Sequence, residues 1–528
     1  MYHQLEQRLH AIETQRLYAD LRAAQTGLEK ENLRVNPLGY IAQTGHPAAI
    51  GSALTHPWIT TDYAEALLEL ITPPQAHAPH ALDFLLDLKT FVYQQLQDEL
   101  LWTNSMPCIL RGEDDIRIAE YGSSNAGRMK HIYRQGLAWR YGKTMQVIAG
   151  IHFNYSIAET FWEPWHALEG AGLTLRAFRD QQYMALARNL QRYGWLVIYL
   201  FGTSPAICKS FLGGRAAPDS MREFNAHTLY EPYGTSLRMG KIGYSNNKEK
   251  DTGAQVCYDS LQSYTTSLRQ AISTPSAEYE KIGIKVNGEY RQLNANILQI
   301  ENEYYSTVRP KQPLQGFEKP TDALIDRGIR YIELRTIDIN TFQPAGLSHQ
   351  QLYFLETFMH FCLLQESPLI RGNEKQAIHN NQLRVAHQGR APKLALEHRD
   401  APITLTAWAG ELLREMQPVA HLLDQVHDCT FYTEALRNQR DMVNHPELTP
   451  SARMLADMHE QKDDSFFDFV QRKSAEHRKF FLQRQLSGQL KTRFSEMAKE
   501  SLDRQQTIEN NDKIDLDTFL ERYFAGSL

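Results

Sequence analysis

The chain has 528 residues, a hydrophobic content of 42% and a formal net charge of −6, which argues against a broad electrostatic surface for nucleic acid. Its cysteines are scattered without a CxxC pair, so the sequence indicates neither a disulfide framework nor a structural zinc site and favours a reducing cytoplasm. The polar amino terminus and the brevity of the most apolar run, residues 195–201, predict neither export nor membrane insertion.

The first predicted elements are an amphipathic helix over residues 1–24, which we expect to be scaffold, and a strand over residues 27–35. The strand, GLEKENLRV, alternates so that Glu29 and Glu31 share one face while Lys30 lies on the other. Carboxylates this close repel each other, and such a pair usually holds a cation or shares a proton. A solvated structural strand is the alternative that this stretch leaves open.

A second acidic stretch covers residues 59–73, ITTDYAEALLELITP. Its acids, Asp62, Glu65 and Glu69, are spaced for one helix face, but from Glu65 onward the pattern also alternates as a strand. We favour a strand from Ala64, entered from a loop that holds Asp62, because Ile, Leu and Thr crowd the end of the segment. A half-exposed element with solvated acids remains open.

Further along, residues 81–101 have helical spacing, and the small-residue loop 121–128 leads into a helix that carries Tyr133. The segment IHFNYS that follows alternates strictly and places His152 and Asn154 on one face. That face is either a wet surface or the lining of a polar pocket, and this stretch alone does not distinguish them.

Two more acidic stretches precede residue 345. In residues 299–305 the acids Glu301 and Glu303 alternate, and a strand over residues 331–340 places Glu333 and Arg335 on one face. A structural salt-bridge ladder would explain the second pair equally well.

Helical spacing dominates beyond residue 347, and residues 491–516 are highly charged. We therefore predict an α+β catalytic body over residues 1–345 and a mainly helical part over residues 346–528 that packs on it.

Gathered in one sheet, the predicted acidic faces would form a concave surface without cysteine ligands, which suits Mg²⁺ or Mn²⁺. Such ions beside arginine and lysine are the apparatus of phosphoryl transfer. Nuclease and phosphatase sites use the same parts, so the pattern alone leaves the reaction open.

Collinear stretches over about residues 25–345 closely resemble the bacterial type 1 glutamate–cysteine ligase family, also named γ-glutamylcysteine synthetase. They are GLEKENLR (27–34), SALTHPWITTDYAEALLE (52–69), GIHFNYS (150–156), LFGTSPA (200–206), IENE (300–303) and YIELR (331–335). One departure is Thr26, which stands where the family pattern has arginine and affects a local salt bridge.

The resemblance implies a fold like the catalytic domain of glutamine synthetase, with a curved antiparallel sheet that forms a funnel. It implies that ATP, with Mg²⁺ or Mn²⁺, phosphorylates the γ-carboxylate of L-glutamate. The amine of L-cysteine then displaces phosphate, which is the first step of glutathione biosynthesis. Glutathione is the expected feedback inhibitor, because it shares the γ-glutamyl and cysteinyl parts.

The resemblance also assigns roles to residues by their position in the motifs. It implies a metal set of carboxylates, one histidine and one amide: Glu29, Glu31, Asp62, Glu69, His152, Asn154 and Glu333. It implies that Glu333 and Arg335 are catalytic, with Arg335 facing the transferred phosphoryl group. It implies a cysteine pocket in which Arg238 holds the α-carboxylate and tyrosines surround the thiol-bearing carbon: Tyr133, Arg238, Tyr244 and Tyr305.

Two alternatives remain, namely a γ-glutamyl ligase with a different amine acceptor and a non-catalytic nucleotide-binding homologue. The second would need a degraded metal set, whereas every expected acid is present. A metal-dependent nuclease is disfavoured by the acidic balance of the chain. We expect a cytoplasmic monomer that binds neither nucleic acid nor a membrane.

Overall fold

The computed structural model describes residues 2–107, 109–243, 255–399, 401–461 and 464–528, so the predicted site residue Tyr244 lies outside the described residues. The helices α1 to α19 are His3–Gln15, Tyr18–Arg22, Ala78–Gln95, Asn125–Tyr141, Glu159–Glu169, Leu175–Tyr193, Trp195–Phe201, Leu261–Ser273, Ala277–Glu280, Pro320–Arg327, His349–Leu364, Asn373–Gln388, Leu405–Glu415, Gln417–His427, Phe431–Asn444, Pro450–Glu460, Phe466–Gln483, Gly488–Asn511 and Leu516–Ala525. The strands β1 to β14 are Gln25–Val35, Ile59–Thr61, Leu67–Ile71, Leu100–Leu101, Ile151–Ser156, Ala206–Cys208, Arg222–Asn225, Thr228–Tyr230, Lys285–Val286, Glu289–Tyr290, Val308–Lys311, Tyr331–Ile337, Ala395–Leu396 and Ile403–Thr404.

A seven-stranded antiparallel sheet forms the centre of the molecule, in the order β11-β12-β5-β1-β3-β2 with β4 paired to the end of β1. Strand β1 is 11 residues long and bonds to β5 through its first half and to β3 through its second. Opposed residues on neighbouring strands lie side by side on the same face of a sheet. The register of β1 therefore decides which side chains meet.

The two faces of this sheet differ in chemistry. On one face Leu28, Phe153 and Leu334 are fully buried, and helices α3, α6 and α7 pack on these strands. The other face carries alternate residues that are mainly polar or charged, with Glu29, Glu31, Glu69 and Glu333 as its acids. This division explains why β5 and β12 alternate between apolar and polar residues, whereas the inner face of β1 also holds the buried polar residues Lys30, Asn32 and Arg34.

The strands predicted near residues 27–35, 151–156 and 331–340 are confirmed as β1, β5 and β12. The single helix predicted over residues 1–24 is instead α1 followed by α2, because Arg16 adopts a left-handed conformation with φ of 55° that ends α1.

Two strand predictions were wrong in their bounds or type. The strand predicted from Ala64 begins only at Leu67, because Leu67 donates its amide to the Ala64 carbonyl in the turn that joins β2 to β3. Residues Glu301–Glu303 form a 3₁₀ turn rather than a strand, closed by the bond from the Tyr304 amide to the Glu301 carbonyl.

Beyond residue 347 the described chain is mainly helical, as predicted, with β13 and β14 as a short ribbon. Helices together with an antiparallel sheet confirm the predicted α+β class. One buried apolar cluster contains Leu28 of β1 as well as Phe361 and Phe469 of the later helices, and the predicted boundary at residue 345 stays a prediction. None of the helices in the described ranges is both long enough and apolar enough to cross a bilayer.

A buried carboxyl beneath the sheet provides a test of the fold. Glu356 on α11 is 4% exposed and accepts a 2.9 Å hydrogen bond from the Tyr432 hydroxyl, and burial raises its pKa to about 7. The folded state therefore retains this proton between about pH 4.5 and 7, where the unfolded chain has released it, so stability falls as pH rises through this range.

Replacing Glu356 by glutamine removes this pH dependence. We expect the variant to match the wild type near pH 4.5 and to gain up to about 3 kcal/mol relative to it by pH 8. Urea unfolding at several pH values measures the difference, with the exposed Glu521→Gln as the control. A stability difference that does not change with pH would contradict the buried, protonated state of Glu356.

Candidate functional site

Strand register brings most of the predicted metal-binding residues onto one face of the sheet. Glu31 on β1 lies directly opposite Glu69 on β3, and Glu29 lies opposite His152 on β5. In the same way Asn154 on β5 lies opposite Glu333 on β12. Opposed residues have Cβ atoms about 5 Å apart, so these side chains share one space whatever their rotamers.

One half of this face is a compact group around Glu29. Its carboxylate accepts a 2.8 Å hydrogen bond from the side-chain amide of Asn154 and lies 3.1 Å from Nδ1 of His152. Glu29, His152 and Glu333 each present a ligand atom, and these atoms lie within 4.8 Å of one another. The buried side-chain carbonyl of Asn154 has no hydrogen-bond partner, which leaves one more oxygen for a ligand.

Basic side chains adjoin this group at Glu333, which is 1% exposed. Lys311 Nζ lies 3.5 Å from one oxygen of Glu333, and Arg335 Nη1 donates to the other at 3.1 Å. Burial acts to raise the pKa of Glu333, but the charges of Lys311 and Arg335 outweigh it and hold the pKa well below the ordinary value. Burial also acts to raise the pKa of Glu29, but the hydrogen bond with His152 outweighs it, so the pKa of Glu29 is lowered.

The other half of the face is formed by Glu31, Glu69 and Asp62, which lies in the loop after β2. Glu31 is 5% exposed and accepts a 2.6 Å hydrogen bond from the backbone amide of Gly150. Burial and the charge of Asp62 raise the pKa of Glu31 to about 8. Burial and the charges of Glu29 and Asp62 raise the pKa of Glu69 well above its ordinary value. At neutral pH Glu31 therefore retains a proton that an incoming cation would displace.

A second arginine, Arg238, lies beside the acidic face and is 2% exposed. Its Nη2 donates a 2.8 Å hydrogen bond to the backbone carbonyl of Arg335, while Nε of each arginine is buried without a hydrogen-bond partner. The guanidinium fits only because residue 150 is glycine, since a Cβ at Gly150 would lie 2.1 Å from Nη2. Both Nε donors are therefore available to a ligand in the site.

Two of the predicted tyrosines, Tyr133 and Tyr305, lie near the charged groups of this face. Tyr305 is half-buried, its hydroxyl lies 3.6 Å from the sulfur of Met239, and burial raises its pKa. Tyr133 on α4 is also half-buried, and burial together with the charge of Glu303 raises its pKa. Both phenols are therefore neutral donors at physiological pH.

Three acids that alternation placed with this site lie elsewhere. The carboxylate of Glu65 accepts hydrogen bonds from two loop backbone amides, and that of Glu301 accepts one from the Thr321 hydroxyl. Glu303 forms a buried ion pair with Arg140 at 2.9 Å. Each of them satisfies local structure instead of facing the sheet.

Sequence patterns also missed the residue that ties Arg238 to the sheet. Asp338, fully buried just after β12, accepts hydrogen bonds from the Thr203 amide and from the hydroxyls of Ser204 and Ser236, and it lies 3.7 Å from Arg238. The only sequence feature that could have indicated Asp338 is its position between two isoleucines in the predicted strand over 331–340, and alternation does not distinguish such an acid from others.

The donor set of the face consists of carboxylates, one amide and one imidazole. Oxygen-rich sets of this kind suit Mg²⁺ or Mn²⁺, and the unpaired Asn154 oxygen and the mutually repelling carboxylates fit such an ion. With Lys311 and Arg335 alongside, the arrangement is able to bind phosphate groups and to offset charge that develops on them.

Comparison of the whole chain with known proteins gives consistent matches. A family model described as glutamate-cysteine ligase matches residues 9–385. A glutamate–cysteine ligase from Alcanivorax borkumensis is 45% identical over 98% of this chain and 99% of its own length. One from Pseudomonas aeruginosa strain PAO1 is 47% identical over 95% of this chain and 94% of its own length.

Solved structures give the same result. The crystal structure of a glutamate–cysteine ligase from Francisella tularensis in complex with AMP has a TM-score of 0.89 and 33% identity, and it covers 96% of this chain and 98% of that chain. A bifunctional glutathione synthetase from Pasteurella multocida has a TM-score of 0.71 and 25% identity, covering 90% of this chain and 55% of that chain.

The crowded carboxylates predict opposite effects of one substitution with and without cations. Burial and neighbouring charges disfavour ionised Glu69 in the folded protein, whereas the unfolded chain ionises it freely, and Glu69→Gln removes this cost without changing the shape of the side chain. At pH 8 we therefore expect the melting temperature of the metal-free protein to rise by about 1–2 °C. The further rise on adding MnCl₂ should shrink, because a ligand oxygen is lost.

Differential scanning calorimetry with and without MnCl₂ measures both effects, and Glu521→Gln serves as the control. An unchanged response to Mn²⁺ in the Glu69 variant would remove Glu69 from the cation site.

Proposed function

Because the chain belongs to the glutamate–cysteine ligase family, we propose that the acidic sheet face is where ATP drives the joining of L-glutamate to L-cysteine. The enzyme is an ATP-dependent ligase that joins the glutamate γ-carboxylate to the cysteine amine by way of γ-glutamyl phosphate, in glutathione biosynthesis. The observation that best supports this location is the cluster of Glu29, His152 and Glu333 beside Lys311 and Arg335.

The chemistry explains why the site needs both acids and bases. A carboxylate is a poor acyl donor, so an oxygen of the glutamate γ-carboxylate attacks the γ-phosphorus of ATP and ADP leaves. The glutamate γ-carboxylate, the transferred phosphoryl group and the departing ADP are all anionic and lie close together, so their mutual repulsion has to be offset. Mg²⁺, when bound, would screen the phosphate oxygens and favour in-line transfer.

We propose that the predicted set of residues provides the cation ligands: Glu29, Glu31, Asp62, Glu69, His152, Asn154 and Glu333. Glu29 and Glu31 are alternate residues of one strand with different partners, His152 for the first and the Gly150 amide for the second. They need not serve the same ion.

Arg335 is the residue we assign to the transferred phosphoryl group. Its Nη1 donates a hydrogen bond to the carboxylate of Glu333, whereas its Nε has no hydrogen-bond partner. Glu333 fixes the direction of the guanidinium, and the remaining donors are available to oxygens that become more negative during transfer. Lys311, on the other side of Glu333, adds a second positive charge.

The amine of cysteine then attacks the acyl carbon, the carbon–oxygen bond to phosphate breaks, and the amide forms. For this step we propose that Arg238 binds the α-carboxylate of cysteine and that Tyr133 and Tyr305 contact its side chain. The fourth predicted pocket residue, Tyr244, lies outside the described residues. The unpaired Nε of Arg238 supports this, because a carboxylate would satisfy it.

We further propose that the enzyme is a cytoplasmic monomer subject to feedback inhibition by glutathione, which carries the same γ-glutamyl and cysteinyl parts. The described cysteines are all free, which agrees with a reducing compartment: Cys208, Cys257, Cys362 and Cys429.

The reaction predicts how ADP release depends on substrates. ADP should form at a high rate only when MgATP, glutamate and cysteine are all present, and Glu29→Gln should lower kcat about 100-fold or more because an anionic ligand is lost. A coupled ADP assay measures both, and circular dichroism confirms that the variant folds. ADP release that does not depend on cysteine, or full activity in the variant, would contradict the proposal.

The role of Arg238 predicts a difference between two acceptors. Arg238→Lys replaces a fork of donors by a point charge, so kcat/KM for cysteine should fall about 10- to 100-fold. Cysteamine lacks the α-carboxylate, and its kcat/KM should be much lower in the wild type but nearly unaffected by the substitution. Equal losses for both acceptors would show that Arg238 does not hold the carboxylate.

A further inference from the structure

The segment of residues 233–241 carries Arg238 into the site and is held against the carboxyl end of α12. Thr235 and Ser236 donate their backbone amides to the carbonyl oxygen of Ala386, at 2.8 and 3.2 Å. The last carbonyls of a helix have no partner within the helix, so these bonds satisfy both elements. They hold the segment in place just before Arg238.

His387, in the last turn of α12, holds the segment just after Arg238. Its Nε2 lies 3.0 Å from the backbone nitrogen of Lys241, and its Nδ1 lies 2.8 Å from each carboxylate oxygen of Glu231. The Glu231 side chain is 2% exposed and that of His387 is 11% exposed. Arg238 thus lies between two points at which the segment is attached to α12.

The partners of the imidazole determine which of its nitrogens carries the proton. The Lys241 N–H donates to Nε2, which must therefore keep its lone pair, so the imidazole proton lies on Nδ1. There it is donated to the carboxylate oxygens of Glu231. Without Glu231 the proton is free to move to Nε2, where it would point at the Lys241 N–H.

We infer that Glu231 and His387 are a positioning pair for the acceptor amine: they fix the backbone just after Arg238 and thereby set the affinity for the acceptor carboxylate. The inference rests on the proposed assignment of Arg238 to the acceptor pocket. Both residues act through the backbone of residues 237–241, so they are positioning residues and not catalytic ones.

The substitution His387→Asn separates the two bonds of the imidazole. Asparagine keeps an N–H near the position of Nδ1 for Glu231 but offers no acceptor near Nε2. We expect faster amide hydrogen exchange in the peptide 237–243 and a rise of about 5- to 10-fold in KM for cysteine. The KM values for ATP and glutamate and the kcat should stay within about 2-fold of the wild type.

A matched control is Arg384→Ala on the same helix, which removes an exposed 3.1 Å ion pair with Glu397. It should alter neither the exchange rate nor the KM for cysteine. The effect of His387→Asn should also disappear when cysteamine replaces cysteine. Glu231→Gln, which loosens the proton without removing the imidazole, should give the same pattern with smaller changes, and it provides the test if the first variant does not fold.

Unchanged exchange and an unchanged KM for cysteine would overturn the inference. So would an equal rise in all KM values with a lower melting temperature, because that is the result of a purely structural role. If the wild type shows no cysteine-dependent ADP release, the proposed function fails instead, and the hydrogen exchange of residues 237–243 still tests the positioning pair.

Discussion

Repulsion among carboxylates on one face of the sheet is the constraint on which the rest of the structure depends. Glu31 and Glu69 are opposed in register, and neither can move away without breaking the pairing of β1 with β3. Helices that bury the other face hold those strands in place. The structure therefore relieves the repulsion by other means, through a proton on Glu31, through the raised pKa of Glu69 and through the basic side chains Lys311 and Arg335 beside Glu333.

Alternation in the sequence predicted the acidic face well where a strand has one apolar side. In β5 and β12 every second side chain is apolar and packs in the core, so a period of two in the sequence follows directly from the packing of one face. The fold class and the residues on the face could therefore be predicted. The division of this face into one half where the carboxyl pKa values are raised and one half where they are lowered could not be predicted, because it depends on which strands are neighbours in the sheet.

Prediction from the sequence failed where alternating acids do not belong to a strand. Glu301 and Glu303 alternate in a 3₁₀ turn, and Glu65 binds backbone amides in a loop. Conversely, Asp338 and Glu231 are single acids without periodic neighbours, and their roles arise from contacts with segments more than 100 residues away in the chain. Only the folded structure brings such residues together, so no local pattern could reveal them.

Gly150 links the acidic half of the sheet face to Arg238 through a single peptide unit. Its amide bonds to Glu31 in the acidic half, while its missing side chain makes room for Arg238. A larger residue at position 150 would therefore displace the Arg238 guanidinium and, through the same peptide unit, disturb the hydrogen bond that holds Glu31 in the acidic half. The two groups cannot be varied independently at this position.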